Sequence, residues 1–317
     1  MIVHLLPGDP AMVMLGERAT PEAVEKLREE LGLNQPLPLQ YAQYVGDLIT
    51  GDFGRSIQTN EKISQILSQK FPATVELTVV ALAIACLLGV LFGVLAAARR
   101  NSILDNLVMV GSLAGISMPI FWLALILLYL FAFRLGLFPV TGRLPPEYFF
   151  KPDSYFFLID TLFQGRLDLF WASLKHLALP GLALATIPMA IIARITRASM
   201  IDALSQDYIR TARAKGLNHR IVVAKHGLSN ALIPILTVIG LQFGYLLGGA
   251  IITETIFAWP GMGTWVLNAV YARDYQAVQA GVFTIGLSFI LVNLLVDLTY
   301  AIVDPRVRSG VHQNQGS

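Results

Sequence analysis

Residues 207–234 read DYIRTARAKGLNHRIVVAKHGLSNALIP, a basic, polar island between two long apolar runs. Arg210, Arg213, Lys215, Arg220 and Lys225 are answered by a single acid, Asp207. Short basic loops stay on the cytoplasmic side of a membrane, so the island is expected there. Residues 207–214 have helical composition, and Gly216 stands where a residue tolerating positive φ would stop that helix. Asn218 is placed to cap a second short helix reaching about Ala224. Two helices about a glycine corner, held between two spans, make a rigid knob suited to docking a soluble partner. The plainer alternative is a connecting loop whose arginines only set topology.

Outward from the island the chain is apolar. Hydrophobic residues make up 55% and charged residues 14%, well below the roughly one quarter usual in soluble domains. A net charge of +2 gives no case for nucleic acid as a partner. Cys86 is the only cysteine, so there is no disulfide framework or thiolate metal site, and it reads as a small packing residue. His4, His176, His219, His226 and His312 are scattered, so no metal site is expected. No glycine is followed by lysine, which excludes a GxxxxGK[ST] phosphate loop. Neither HExxH nor GxSxG occurs. The chain therefore reads as an all-α integral membrane protein without catalytic machinery of its own.

Five complete spans are expected. The first runs over 73–98 after Pro72, ends at Arg99-Arg100, and repeats small residues at Ala81, Ala85, Gly89, Gly93 and Ala97, a face for close helix approach. Glu76 falls near its outer interface, in an interfacial or capping role. The second, 107–133, is kinked at Pro119; the third, 177–193, is short and broken by Pro180 and Pro188. The fourth, 231–252, carries Gly240, Gly244, Gly248 and Gly249, a face that either packs on a neighbouring helix or lines a substrate path. The fifth is built on 282–296, with Asp297 near the cytoplasmic interface and a loose tail over 309–317. With these spans alternating, Arg99-Arg100, the 194–225 region and Arg306–Arg308 share one side, and the C-terminus is cytoplasmic. Before the first complete span, residues 7–72 read as an extracytoplasmic helical segment, with a helix opened by Thr20-Pro21 and a short amphipathic stretch at 45–49. The aromatic-rich loop from Arg134 to about Leu174 reads as an interfacial belt.

Several of these stretches carry a family resemblance. Arg210-Thr211-Ala212 with Gly216 resembles the EAA-xxx-G loop of membrane subunits in ATP-binding-cassette (ABC) importers, here in the TARAKG form of the peptide-importer branch. Arg210 stands where glutamate is usual, Thr211 where the first alanine is usual, and Pro234 comes later than in the short form of the motif. Pro7-Gly8-Asp9-Pro10, LGLNQP (31–36) with GDFGRS (51–56), FPVTG (138–142) and the E-x-x-F-x-x-P-G-x-G pattern from Glu254 to Gly263 resemble other segments of the same subunits, in family order.

The resemblance implies a type I ABC importer permease fold in which residues 1–6 are the remnant of a sixth, first transmembrane helix. Residues 73–308 would form the permease domain, with a cytoplasmic coupling loop over 197–230. It implies a half-pore for di- or oligopeptides in a bacterial or archaeal plasma membrane. The partners would be a homologous second permease subunit, two cytosolic ATPases holding ATP and Mg, and an extracytoplasmic peptide-binding protein, with no cofactor on this chain. The coupling surface would be built from Asp207, Tyr208, Arg210, Thr211, Ala212, Arg213, Lys215, Gly216, Asn218 and Arg220. A stand-alone ion-coupled secondary carrier is the alternative. It calls for ionisable residues at mid-membrane, which the spans do not offer.

Overall fold

The computed structural model describes residue 12, residues 20–30 and residues 34–303. The expectations for residues 1–6, for Pro7–Pro10 and for the tail lie outside them, as does the side chain of Asp297. Among the described residues the chain is helical, and β pairing is limited to one bridge between Arg55 and Lys62.

Small residues at four-residue spacing decide the central packing. After α1 (Pro21–Glu30) and α2 (Leu37–Thr50), helix α3 (Ile63–Ala98) lies along α7 (Leu167–Leu204), with α4 (Ile103–Ser117), α5 (Ile120–Leu127) and α6 (Phe157–Phe163) between them in sequence. Ala73, Leu77, Ala81 and Ala85 of α3 share a buried core with Leu177, Leu184, Ala185 and Ile192 of α7. At Gly93 the two helices touch so closely that an added Cβ would lie 2.6 Å from the Ala193 carbonyl oxygen and 2.5 Å from Thr196 Cβ. Gly89 is similar, 2.9 Å from the Met189 carbonyl oxygen. In a bilayer such contact draws on dispersion between close-packed surfaces, because lipid tails remove the hydrophobic drive between helices.

Three of the expected spans differ most from the sequence expectation. Helix α3 begins at Ile63, with Pro72 inside it. The turns before Pro72 bury Ile63 and Leu67 against Met262, Ala269, Ala277 and Ala280, and this packing holds the helix through the proline. Helix α7 is one continuous element of 38 residues enclosing both Pro180 and Pro188. Both prolines are buried, and neighbouring helices offset the lost hydrogen bonds. The expected second span bends much more than a kink: α4 meets α5 and its π-helical continuation (Leu128–Arg134) at 105°. Met118 is extended and Pro119 restarts the helix.

Beyond α7 the chain forms α8 (Asp207–Ala214), α9 (His219–Ile221), a π-helical turn (Val222–Gly227) and α10 (Leu228–Gly249). Then come α11 (Ile251–Ile256), α12 (Met262–Tyr271) and α13 (Tyr275–Val303). Among the described residues four stretches are long and apolar enough to cross a membrane: 63–98, 167–204, 219–246 and 275–296; the bent α4–α5 pair makes a fifth if it counts as one span.

The end of the bundle remote from α8 is tied by polar contacts. Thr74 Oγ1 donates to Glu254 Oε1 at 2.6 Å and accepts from the Met262 amide at 2.8 Å, while the Thr264 amide donates to Glu254 Oε2 at 2.9 Å. Trp259 Nε1 donates to the Ala73 carbonyl at 2.8 Å. Burial pushes the Glu254 carboxyl above the usual carboxylate range, and the hydrogen bonds from Thr74, Thr264 and Gly263 draw it back. These bonds fix the Pro260-Gly261 corner onto α3, so the chain turns there into α12 instead of continuing outward. Further along, Asp274, 1% exposed, accepts from Ser56 Oγ at 2.6 Å and from the Ala277 amide at 3.1 Å. The GDFGRS stretch is thereby clamped to the α12–α13 corner.

Candidate coupling surface

The residues of the island form one small folded unit. Helix α8 is amphipathic: Ile209 and Ala212 are buried and pack with Val222 and Leu204, while Asp207, Tyr208, Arg210, Thr211 and Arg213 are exposed. The helix ends in a Schellman arrangement: the Gly216 amide donates to the Arg213 carbonyl at 3.0 Å and the Leu217 amide to the Ala212 carbonyl at 3.4 Å. Gly216 has φ +76°, and a Cβ there would meet nothing within 4 Å. Backbone conformation, not space, therefore requires glycine at this corner. Asn218 Oδ1 then accepts from the Arg220 amide at 3.0 Å and caps α9.

The second helix is shorter than expected, ending at Ile221 and passing into the π-helical turn. Gly227 lies against Leu204 and Met200 of α7. That close approach joins the unit to both flanking membrane helices, because Val223, Ala231 and Ile235 pack with Met200, Ala203 and Ala97.

The exposed face is chemically mixed. Arg210, Arg213, Lys215 and Arg220 are exposed, and so are the apolar side chains of Tyr208, Leu217 and Ile221. Arg210 Nη1 reaches Asp207 at 3.3 Å in full solvent, a contact of little energetic weight. Exposed aromatic and aliphatic side chains together with arginines have the composition of a protein docking site. Among the described residues there is no group of three or more His, Cys, Asp or Glu placed to share a metal ion.

The glycine face of α10 divides. Gly240 lies against Val296 of α13, and Gly244 against Phe289 and Asn293, so neither site has room for a side chain. Gly248 has no heavy atom within 4 Å of its Cβ position. Gly249 ends the helix, and its surroundings lie outside the described residues.

Two ion pairs had no signal in the pattern of the sequence. Arg143 pairs with Glu76 across 67 residues of chain, with side-chain exposures of 6% and 5%. Arg143 Nη2 also donates to the Tyr155 carbonyl at 3.0 Å, and its guanidinium carbon lies 3.7 Å from the Phe157 ring centre. Glu76 accepts in addition from the Leu158 amide at 2.7 Å. Glu76 is thus the anchor for the loop before α6, a larger role than an interfacial or capping residue. Arg197 of α7 grips Asp105 of α4 through Nε and Nη2, the latter at 2.7 Å.

An apolar cavity of about 330 Å³ opens between α3, α4 and α7, lined by Phe92, Leu107, Gly111, Ser112, Thr186 and Met189 among others. Its walls carry no ionisable group.

Comparison with known proteins accords with this arrangement. Residues 89–309 match the family described as binding-protein-dependent transport system inner membrane component, and residues 1–78 match the N-terminal family of the same membrane components. The dipeptide transport system permease protein DppB of Alkalihalophilus pseudofirmus is 50% identical over 307 residues, covering 97% of this chain and 92% of that protein. The di/tripeptide transport system permease protein DppB of Pseudomonas aeruginosa is 49% identical, again over 97% of this chain and 92% of its own length. The glutathione transport system permease protein GsiC of Escherichia coli is 40% identical over the same shares. With a basic, glycine-cornered knob at one end of an apolar helix bundle and a match over most of its length, the chain belongs to the family of inner membrane components of binding-protein-dependent transport systems.

Proposed function

We propose that this chain forms half of the path for di- or oligopeptides in an ATP-driven importer and takes up the ATPase stroke through residues 207–224. Membership of the family makes it a multi-pass inner membrane transport subunit, not an enzyme, working with a substrate-binding protein and a separate ATPase. The stand-alone carrier alternative falls with that membership. In the finer reading, a homologous permease subunit completes the pore and two cytosolic ATPases carry the ATP and Mg. An extracytoplasmic peptide-binding protein delivers substrate, and the C-terminus lies on the cytosolic side. The names of the relatives support peptides as the substrate class.

The observation that carries the reading is the build of the knob. Its inner face is packed onto Leu204, and its outer side exposes Tyr208, Leu217 and Ile221 along with Arg210, Arg213, Lys215 and Arg220. Force applied there passes directly into α7 and α10. ATPase closure stabilises one arrangement of these helices over another, and only such a difference in binding can shift the equilibrium.

Gly216→Val provides the test. A β-branched residue in the left-handed region costs roughly 1–2 kcal/mol and distorts the corner. In vesicles containing the complete importer, ATP-dependent uptake of a labelled dipeptide is expected to fall at least about tenfold, since that strain alone corresponds to about one decade. ATP hydrolysis and insertion of the chain should persist. Normal uptake by the variant would overturn the coupling role.

A further inference from the structure

We infer that the turn at residues 99–102, between α3 and α4, is a second docking point for the same ATPase that takes the knob, recognising an acidic surface. The inference rests on the coupling reading above and adds a site outside the 207–224 unit.

The turn is basic and presented to solvent. Arg99, Arg100 and Asn101 are exposed, and neither arginine makes an ion pair among the described residues. It is also built to one shape. Asn101 has φ +61°, uncommon for a residue with a side chain. Its amide donates to Asp105 Oδ2 at 2.9 Å, and Ser102 Oγ accepts from the Asp105 amide at 3.3 Å. Asp105, 1% exposed, is held in turn by both Nε and Nη2 of Arg197. Arg197 belongs to α7, the helix that runs on into the knob.

The turn and the knob also share a floor: Ala97 and Ala98 at the end of α3 pack with Met200, Ala203 and Val223. One buried carboxylate therefore fixes a basic corner relative to the helix that carries α8.

A loop that only sets topology needs positive charge but no fixed geometry. Attraction to anionic lipid headgroups likewise works through a diffuse surface potential. Burying a carboxylate has a desolvation cost that its partners must offset, and a rigid corner is of use to a partner that reads position. Preorganised, desolvated charge pairs across a protein interface carry far more energy than exposed ones. The lock thus favours a folded acidic partner over a lipid surface.

The experiment uses the complete importer in vesicles, with retention of the ATPase measured against salt. Arg99→Glu/Arg100→Glu is expected to weaken retention about tenfold or more and to flatten its salt dependence, equally in phosphatidylcholine vesicles and in vesicles with anionic lipid. Arg99→Lys/Arg100→Lys preserves the charge that sets orientation and should retain the ATPase as wild type does. A tag accessible from the same side in all variants confirms unchanged topology. Unchanged retention by the reversed variant in phosphatidylcholine, with loss of anionic-lipid dependence alone, would assign the turn to lipid and overturn the inference. Unchanged retention in both lipids would reduce it to a topology signal. If Gly216→Val uncouples transport while the reversed variant behaves as wild type, only this second site fails; if neither change has an effect, the coupling reading fails with it.

Discussion

Replacing Arg143 by alanine is expected to destabilise the folded chain by about 3–5 kcal/mol, because it leaves the Glu76 carboxylate buried without its counter-charge. The pair is among the most enclosed charge contacts in the structure: both side chains are nearly inaccessible, and aromatic rings of Phe157 and Trp259 flank the guanidinium. Truncation also removes the donor to the Tyr155 carbonyl, so the loop before α6 loses its tie to α3. Thermal unfolding of the purified chain, followed by the fraction remaining monodisperse, measures the effect. The double variant Glu76→Leu/Arg143→Met should recover most of the loss, since no unpaired charge then remains. Arg143→Lys should recover little. An ammonium cannot serve the carboxylate and the carbonyl in one plane while stacking on Phe157. If Arg143→Ala were as stable as wild type, the pair would have to be solvated, contrary to its geometry.

Gly93→Leu is expected to destabilise the chain by wedging α3 from α7. The atoms in the way belong partly to the Ala193 carbonyl, and backbone does not rotate aside as a side chain can. Overpacking of a well-filled contact costs typically about 1–3 kcal/mol. Here the contact is the central helix pair, so the yield of monodisperse protein should collapse. Gly111→Leu is the control, since a Cβ at Gly111 meets nothing within 4 Å. The contrast between the two glycines tests whether close approach, and not helix propensity, explains the small-residue face. Equal yields from both variants would refute it.

Much of the architecture was legible because bilayer constraints act on local sequence. Spans announce themselves as apolar runs of sufficient length: α3, α7 and α13 contain the stretches read from composition, and α10 covers all but the end of the 231–252 stretch. Their ends were less legible. Pro72, Pro180 and Pro188 look like boundaries, yet each lies inside a helix, because packing by neighbours outweighs the loss of one backbone bond. At Pro119 the local signal did prevail, and the 105° corner shows what happens where less surrounds the break. In the knob, Gly216 and Asn218 adopt the cap roles that their side chains, or lack of one, dictate. The π-helical turn after Ile221 carried no such signature.

Composition, periodicity and cap chemistry thus determined the class of this protein, its apolar stretches and the corner at Gly216, since each depends on a residue and its near neighbours in the chain. Partnerships between distant residues were decided only in three dimensions. Glu76 finds Arg143, Asp105 finds Arg197, and Thr74 finds Glu254 across 67, 92 and 180 residues. A buried charge must find a partner wherever the fold brings one, and nothing within a few residues of it records which one that will be.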